Sequence, residues 1–223
     1  MKPRIDWLLL AAAPLFAAGD WKTDIEFAKV GDVSLTLDAW IPEGKGPFPT
    51  VIVVHGGGWE AGDKQTFVKP LFEPLRNSGF TWFTINYRLA PKYPFPACTD
   101  DTFKAVEWVK AHAKEFKVNP KKIALMGESA GGHIVAYVGA HGKGATSVAA
   151  VVDFYGPHDL LRREKQRGLG KNLKQLLHIE ELNAESEKKL ADASPINYVH
   201  GKMPPFLFIM ARRMRPCRTS SRR

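Results

Sequence analysis

Ser129 is the residue in this chain best placed to do chemistry. It stands in Lys122-Ile123-Ala124-Leu125-Met126-Gly127-Glu128-Ser129-Ala130-Gly131-Gly132. The apolar run Ile123–Met126 predicts a buried strand, and a helical pattern follows from about Ala130 to His141. A serine on a sharp strand-to-helix turn exposes its hydroxyl as a nucleophile. Gly127 and Gly131 flank the turn because a Cβ at either position would meet the neighbouring strand or helix. The amide of Ala130 falls at the helix N-terminus, where N–H groups lack partners and the dipole favours negative charge. An oxyanion formed when Ser129 attacks an ester could use it. The plain alternative is a Gly/Ser turn with no chemistry.

A second stretch bears on the same reaction. The β-branched run Thr50–Val54 ends in His55-Gly56-Gly57-Gly58-Trp59. Consecutive glycines after a strand can bring bare amides close to a bound group. The third landmark is Asn86-Tyr87-Arg88-Leu89-Ala90-Pro91.

Together these motifs resemble the hormone-sensitive-lipase-like branch of the α/β-hydrolases, which are serine esterases. The resemblance runs from about Val33 to Ile209, and Trp59 with Gly62-Asp63-Lys64 is similar to bacterial esterases often attached to plant-polysaccharide degradation. It implies Ser129 as nucleophile and Gly57, Gly58 and Ala130 as oxyanion-hole donors. It gives His55 and Gly56 a loop-shaping part rather than base catalysis. It also implies small acyl esters as substrates, acetylated or feruloylated sugars among them, and no cofactor. Glu128 stands where the family more often has Asp.

The order of elements agrees. Val33–Ile41 alternates as a half-buried edge strand, and Pro42–Pro49 turns the chain into strand Thr50–Val54. A helix is predicted over Gln65–Ser78 despite Pro70 and Pro74, then a strand over Phe80–Tyr87. A helix beginning at Asp100 or Asp101 buries Phe103, Val106, Val109 and Ala113. Val118-Asn119-Pro120 turns into the Ser129 strand, and Ala149–Tyr155 and Phe206–Ile209 are later strands. Short helical patterns fall near Leu173–His178 and Ala184–Leu190. Such alternation predicts an α/β fold, with a mostly parallel sheet and helices on both faces. Both glycine-rich turns then lie at carboxyl ends of strands, where open sheets bind ligands.

Composition narrows the function further. At 223 residues, 44% hydrophobic and 25% charged, the chain suits one globular domain. The net charge of +9 includes six arginines between Arg212 and Arg223 with no acid among them; without these it is +3. The body is only mildly basic and lacks a basic stripe with interleaved aromatics, so nucleic acid is not expected as a partner. The charged stretch Arg162–Lys174 is expected to be a solvated helix or lid face. Lys2 and Arg4, an apolar run Trp7–Phe16 and then Ala17-Ala18-Gly19 predict a signal peptide over residues 1–19 and a secreted or periplasmic protein. That run is short for a membrane span, and a non-cleaved anchor is the alternative reading. Cys98 is expected to be a buried thiol, and no Cys/His spacing suggests a metal.

The general base is the difficulty. In this family serine is followed by an acid, then by histidine. The family pattern after the strand Phe206–Ile209 is His-Gly-x-x-Asp-x-x-Val-Pro. Here it is Met210-Ala211-Arg212-Arg213-Met214-Arg215-Pro216-Cys217-Arg218, with neither acid nor histidine as far as Arg223. A back-translation of His-Gly-Thr-Lys-Asp-Glu-Ala-Val-Pro-Tyr-Glu-Gln-Ser, stripped of its first base, reads Met-Ala-Arg-Arg-Met-Arg-Pro-Cys-Arg-Thr-Ser-Ser-Arg. That is the chain from Met210 to Arg222. Residues 210–223 are therefore expected to be a frameshifted tail on an α/β-hydrolase domain (residues 20–209) that lacks its C-terminal strand and helix. His133, within the helix after Ser129, is expected to point away from the hydroxyl. His158, beside Asp159 at a strand end, is the histidine that could approach it as a surrogate base, though a surface-loop histidine is the plainer reading. A peptidase of the same fold, a non-catalytic binder and a truncated pseudoenzyme remain as alternatives.

Overall fold

A computed structural model describes residues 18–210. The expected signal peptide, apart from its last two residues, and the tail after Met210 lie outside the described residues, as does Cys217.

The sheet comprises β1 (Gly19–Val30), β2 (Val33–Pro42), β3 (Phe48–Val54), β4 (Thr81–Ile85), β5 (Val118–Glu128), β6 (Ala150–Phe154) and β7 (Phe206–Ile209). The spatial order is β1-β2-β4-β3-β5-β6-β7. β1, β2 and β4 pair antiparallel, and the rest of the sheet is parallel. The chain moves from β3 to β4 on one side, then crosses to β5 on the other. That reversal opens a crevice at the carboxyl ends of β3 and β5, where both glycine-rich turns lie.

Helices α1 (Lys69–Asn77), α2 (Ala97–Ala111) and α3 (Ala130–His141) make the crossovers. Three further helices, α4 (Leu160–Arg167), α5 (Lys171–Leu177) and α6 (Ala184–Asp192), lie between β6 and β7. β3 is buried on both faces, which is why it is a continuous apolar run rather than an alternating one. Its side chains divide two cores. Ile52 and Val54 pack with Val106, Val109, Ile134 and Val138 of α2 and α3. Val51 and Val53 pack with Leu75 of α1, Trp40 and Trp82. The expected layering, helices on both faces of a mostly parallel sheet, is present.

Several boundaries differ from expectation. The strand from Val33 is not at the edge; β1, which the pattern did not signal, covers it. β1 is largely exposed, so its side chains show no burial period. β5 begins at Val118, because Val118 pairs with Phe48 before the run to Glu128. α1 starts at Lys69, with Pro70 in its first turn, where a missing N–H costs nothing. The charged stretch forms α4 and the start of α5. Among the described residues no helix is long and apolar enough to cross a membrane.

Candidate active site

Ser129 sits between β5 and α3 at φ 53°, ψ −114°, a region that non-glycine residues rarely occupy. A tertiary contact and the first turn of α3 hold it there. Its N–H donates to the Phe154 carbonyl (2.8 Å), and its own carbonyl accepts from His133 N–H (3.1 Å). A Cβ on Gly127 would overlap the Gly131 carbonyl, and one on Gly131 would overlap the Val54 carbonyl. The two glycines that frame the serine are thus required by backbone packed against backbone.

The glycine loop folds over the same point. Gly57 and Gly58 have φ +101° and +63°. The Gly57 carbonyl accepts from the N–H groups of Glu60 and Ala61, closing a tight turn. Gly56 N–H donates to Glu128 Oε1 (2.8 Å). Among the described residues the amides of Gly57 and Gly58 have no intramolecular acceptor. The three glycines therefore differ: the first amide is spent on structure, the next two are free.

Ser129, Ala130 and Gly58 line one cleft of about 540 Å³ with Trp59, Tyr155, Gly156 and Pro157. Residues of α4 and Asn172 line its remaining side. Gly58 and Ala130 line the cleft with the serine, and Gly57 precedes Gly58 in the same loop with its own amide free.

His55 is scaffold. Its ring is fully buried, stacks on Tyr87 (4.3 Å between centroids) and donates from Nδ1 to the Gly56 carbonyl (2.7 Å). Burial lowers its pKa to about 4. The Tyr87 hydroxyl donates to the His55 carbonyl (3.1 Å), and Arg88 pairs with buried Asp101 (2.7 Å). Tyr87 of the landmark thus clamps the glycine loop, and Arg88 ties the landmark to α2. The neighbouring Lys64 ties to Asp38 (2.8 Å) and Asp24 (2.6 Å).

His133 faces away from the cleft, as expected. Both ring nitrogens are occupied: Nδ1 accepts from Trp59 Nε1 (3.2 Å), and Nε2 donates to the Ala193 carbonyl (2.8 Å). Burial holds its pKa near 4, so it is neutral.

His158 pairs with an acid the sequence did not suggest. Nε2 lies 2.5 Å from Oδ2 of Asp153, a fully buried carboxylate on β6. Asp153 Oδ1 also accepts from Gly156 N–H (2.8 Å). Asp159 instead caps α4, accepting from Arg162 N–H (2.9 Å). The His158 ring meets Phe208 edge-on at 5.0 Å and lines an adjoining apolar groove with Ile196, Val199 and Phe206. It is not part of the Ser129 cleft, and among the described residues no imidazole lines that cleft. The surrogate-base expectation finds no geometric support. Cys98 is buried as expected, with its thiol pushed up to about 12 by burial.

An open, mostly parallel sheet with a serine on a strained turn at its switch point defines an α/β-hydrolase. The BD-FAE family model matches residues 37–213. The chain belongs to that family, within the hormone-sensitive-lipase-like branch of the α/β-hydrolases. It is 29% identical over 203 residues to the probable carboxylic ester hydrolase LipM of Mycobacterium tuberculosis, covering 85% of this chain and 47% of that protein. Among solved structures it resembles a truncated carbohydrate esterase from gut microbiota (TM-score 0.75, 23% identity, 89% of this chain and 78% of that one). It also resembles a bifunctional GH43-CE protein of Bacteroides eggerthii (TM-score 0.74, 25% identity, 84% of this chain and 30% of that one). The chain spans about half the length of the curated relatives LipM and LipQ.

Proposed function

We propose that this chain is the nucleophile-bearing part of a carboxylic ester hydrolase that works through an acyl-enzyme. The observation that carries the reading is Ser129, held at φ 53°, ψ −114° with its side chain in a cleft shared with Gly58 and Ala130. Ser129 Oγ attacks the acyl carbon and gives up its proton to an imidazole. The oxyanion takes hydrogen bonds from the Gly57, Gly58 and Ala130 amides. The alcohol departs with that proton. Water then attacks the acyl-enzyme, releases the acid and restores the serine.

The imidazole and its orienting acid are assigned to the alternate reading frame after Ile209, the acid to the Asp of its His-Gly-x-x-Asp pattern and the base further on. Without them only the residual catalysis of an oxyanion hole and binding is expected. Short acyl esters, including acylated sugars, are the proposed substrates, which the carbohydrate-esterase neighbours support. The basic, apolar and small-residue N-terminus supports export.

The test is to resequence the gene across the codons for Phe206–Arg223, restore the frame and assay aryl acetates beside peptide anilides. The expected result is ester hydrolysis in the frame-restored chain, loss of it in Ser129→Ala, and only residual hydrolysis in the written frame. An intact written frame with no continuation, or an inert restored chain, would leave a binder or relic.

A further inference from the structure

One side of the Ser129 cleft is basic. Arg162, Arg163 and Arg167 of α4 line it together with Gln166, and Asn172 stands beside them. The helix period places positions 162, 163, 166 and 167 on one face. Guanidinium groups only donate, and their fork matches a carboxylate.

The basic residues of α4 divide by face. Lys165 points elsewhere and pairs with Glu187 (2.7 Å). Arg163 has Glu164 at 3.4 Å, but the Glu164 carboxylate is buried and already accepts from Gly170 N–H (2.5 Å). Arg162 and Arg167 have no acidic partner within 4.0 Å among the described residues. Asp159 is the acid lining the cleft, and it is engaged as the cap of α4. A face meant only for solvent gives no reason for the neutralised cation to lie outside and the unpaired ones to line the cleft of Ser129. The cleft, about 540 Å³, has room for a sugar-sized ester.

We propose that α4 makes this cleft selective for esters that carry a carboxylate, bound by Arg162 and Arg167 with Gln166 and Asn172 as further donors. The proposal rests on the esterase reading of Ser129 and names the substrate class for that site. The carboxylate could lie on the alcohol side, as in an O-acetylated uronic acid, or on the acyl side, as in a dicarboxylic half-ester.

Binding, rather than turnover, tests it in the chain as it stands. Titration calorimetry would compare methyl O-acetyl-glucuronide with methyl O-acetyl-glucoside for the alcohol side, and monomethyl succinate with methyl butyrate for the acyl side. The anionic member of at least one pair should bind about fivefold or more tighter, the scale of one well-formed surface ion pair. Arg162→Gln/Arg167→Gln should bring that ratio close to one. Lys121→Gln/Lys122→Gln, which removes the same charge at the opposite end of β5, should leave it unchanged, and circular dichroism checks that both variants fold. Equal binding within both pairs, or a preference that survives loss of the two arginines, would overturn the proposal. Hydrolysis by the frame-restored chain separates the two readings. Selective binding without any hydrolysis by the frame-restored chain would sink the esterase assignment and leave this one standing.

Discussion

The carboxylate of Glu128 accepts the amide hydrogen of Gly56 at 2.8 Å, joining the serine turn to the glycine loop across 72 residues of sequence. Glu128→Ala should leave a partly buried N–H unpaired and cost about 1–3 kcal/mol, read as a lower urea midpoint. Glu128→Gln keeps an oxygen at that position and should recover most of the loss. In a frame-restored enzyme, Glu128→Ala should lower kcat with little change in KM, because the loop positions the oxyanion donors.

Ser129 stores backbone strain, so removing its Cβ should release some. Ser129→Gly is expected to raise stability by about 1 kcal/mol while abolishing activity, whereas Ser129→Ala should abolish activity and leave stability near wild type. Chemical denaturation of the two variants side by side separates strain from chemistry.

The glycines around the serine should tolerate no side chain. Gly131→Ala drives a methyl into the Val54 carbonyl and should cost more than about 4 kcal/mol, enough to prevent folding. Gly201→Ala meets nothing within 4 Å and should be silent. Soluble expression and melting temperature distinguish them.

His55 and His133 predict acid sensitivity. Each has a folded pKa lowered from 6.5 to about 4 by burial. Above pH 6.5 both states hold the rings neutral, and their contribution is complete. As pH falls from 6.5 towards 4 the unfolded chain takes up protons that the folded one refuses, so stability falls. The loss approaches on the order of 3 kcal/mol per ring by pH 4. Urea midpoints at pH 7.5, 6 and 5 should decline accordingly. A His133→Asn variant should show a shallower decline, since it has one such ring fewer.

Much of this site was legible because it is built from local backbone. The elbow and the glycine loop are contiguous, and their glycines announce positive φ or close approach. The pairings that hold them are not contiguous. Nothing near His158 points to Asp153, because a buried acid on β6 reaches it only once the chain has turned at Gly156 and Pro157. β1 escaped notice for a different reason: edge strands with mostly exposed side chains carry no burial period, and only pairing with β2 defines it. The charged stretch was legible as helix, but the direction of Arg162 and Arg167 was not, since that depends on how α4 lies over the cleft.

β7 has a consequence beyond support of the sheet. Tyr155 N–H donates to the Ile209 carbonyl (2.9 Å), which fixes the end of the strand, and Met210, the next residue, already lines the Ser129 cleft. The strand therefore works as a delivery point: whatever residue the gene encodes after Ile209 is set down in the Ser129 cleft. A change of residue at position 210 alters the wall of that cleft before it alters the packing of the sheet.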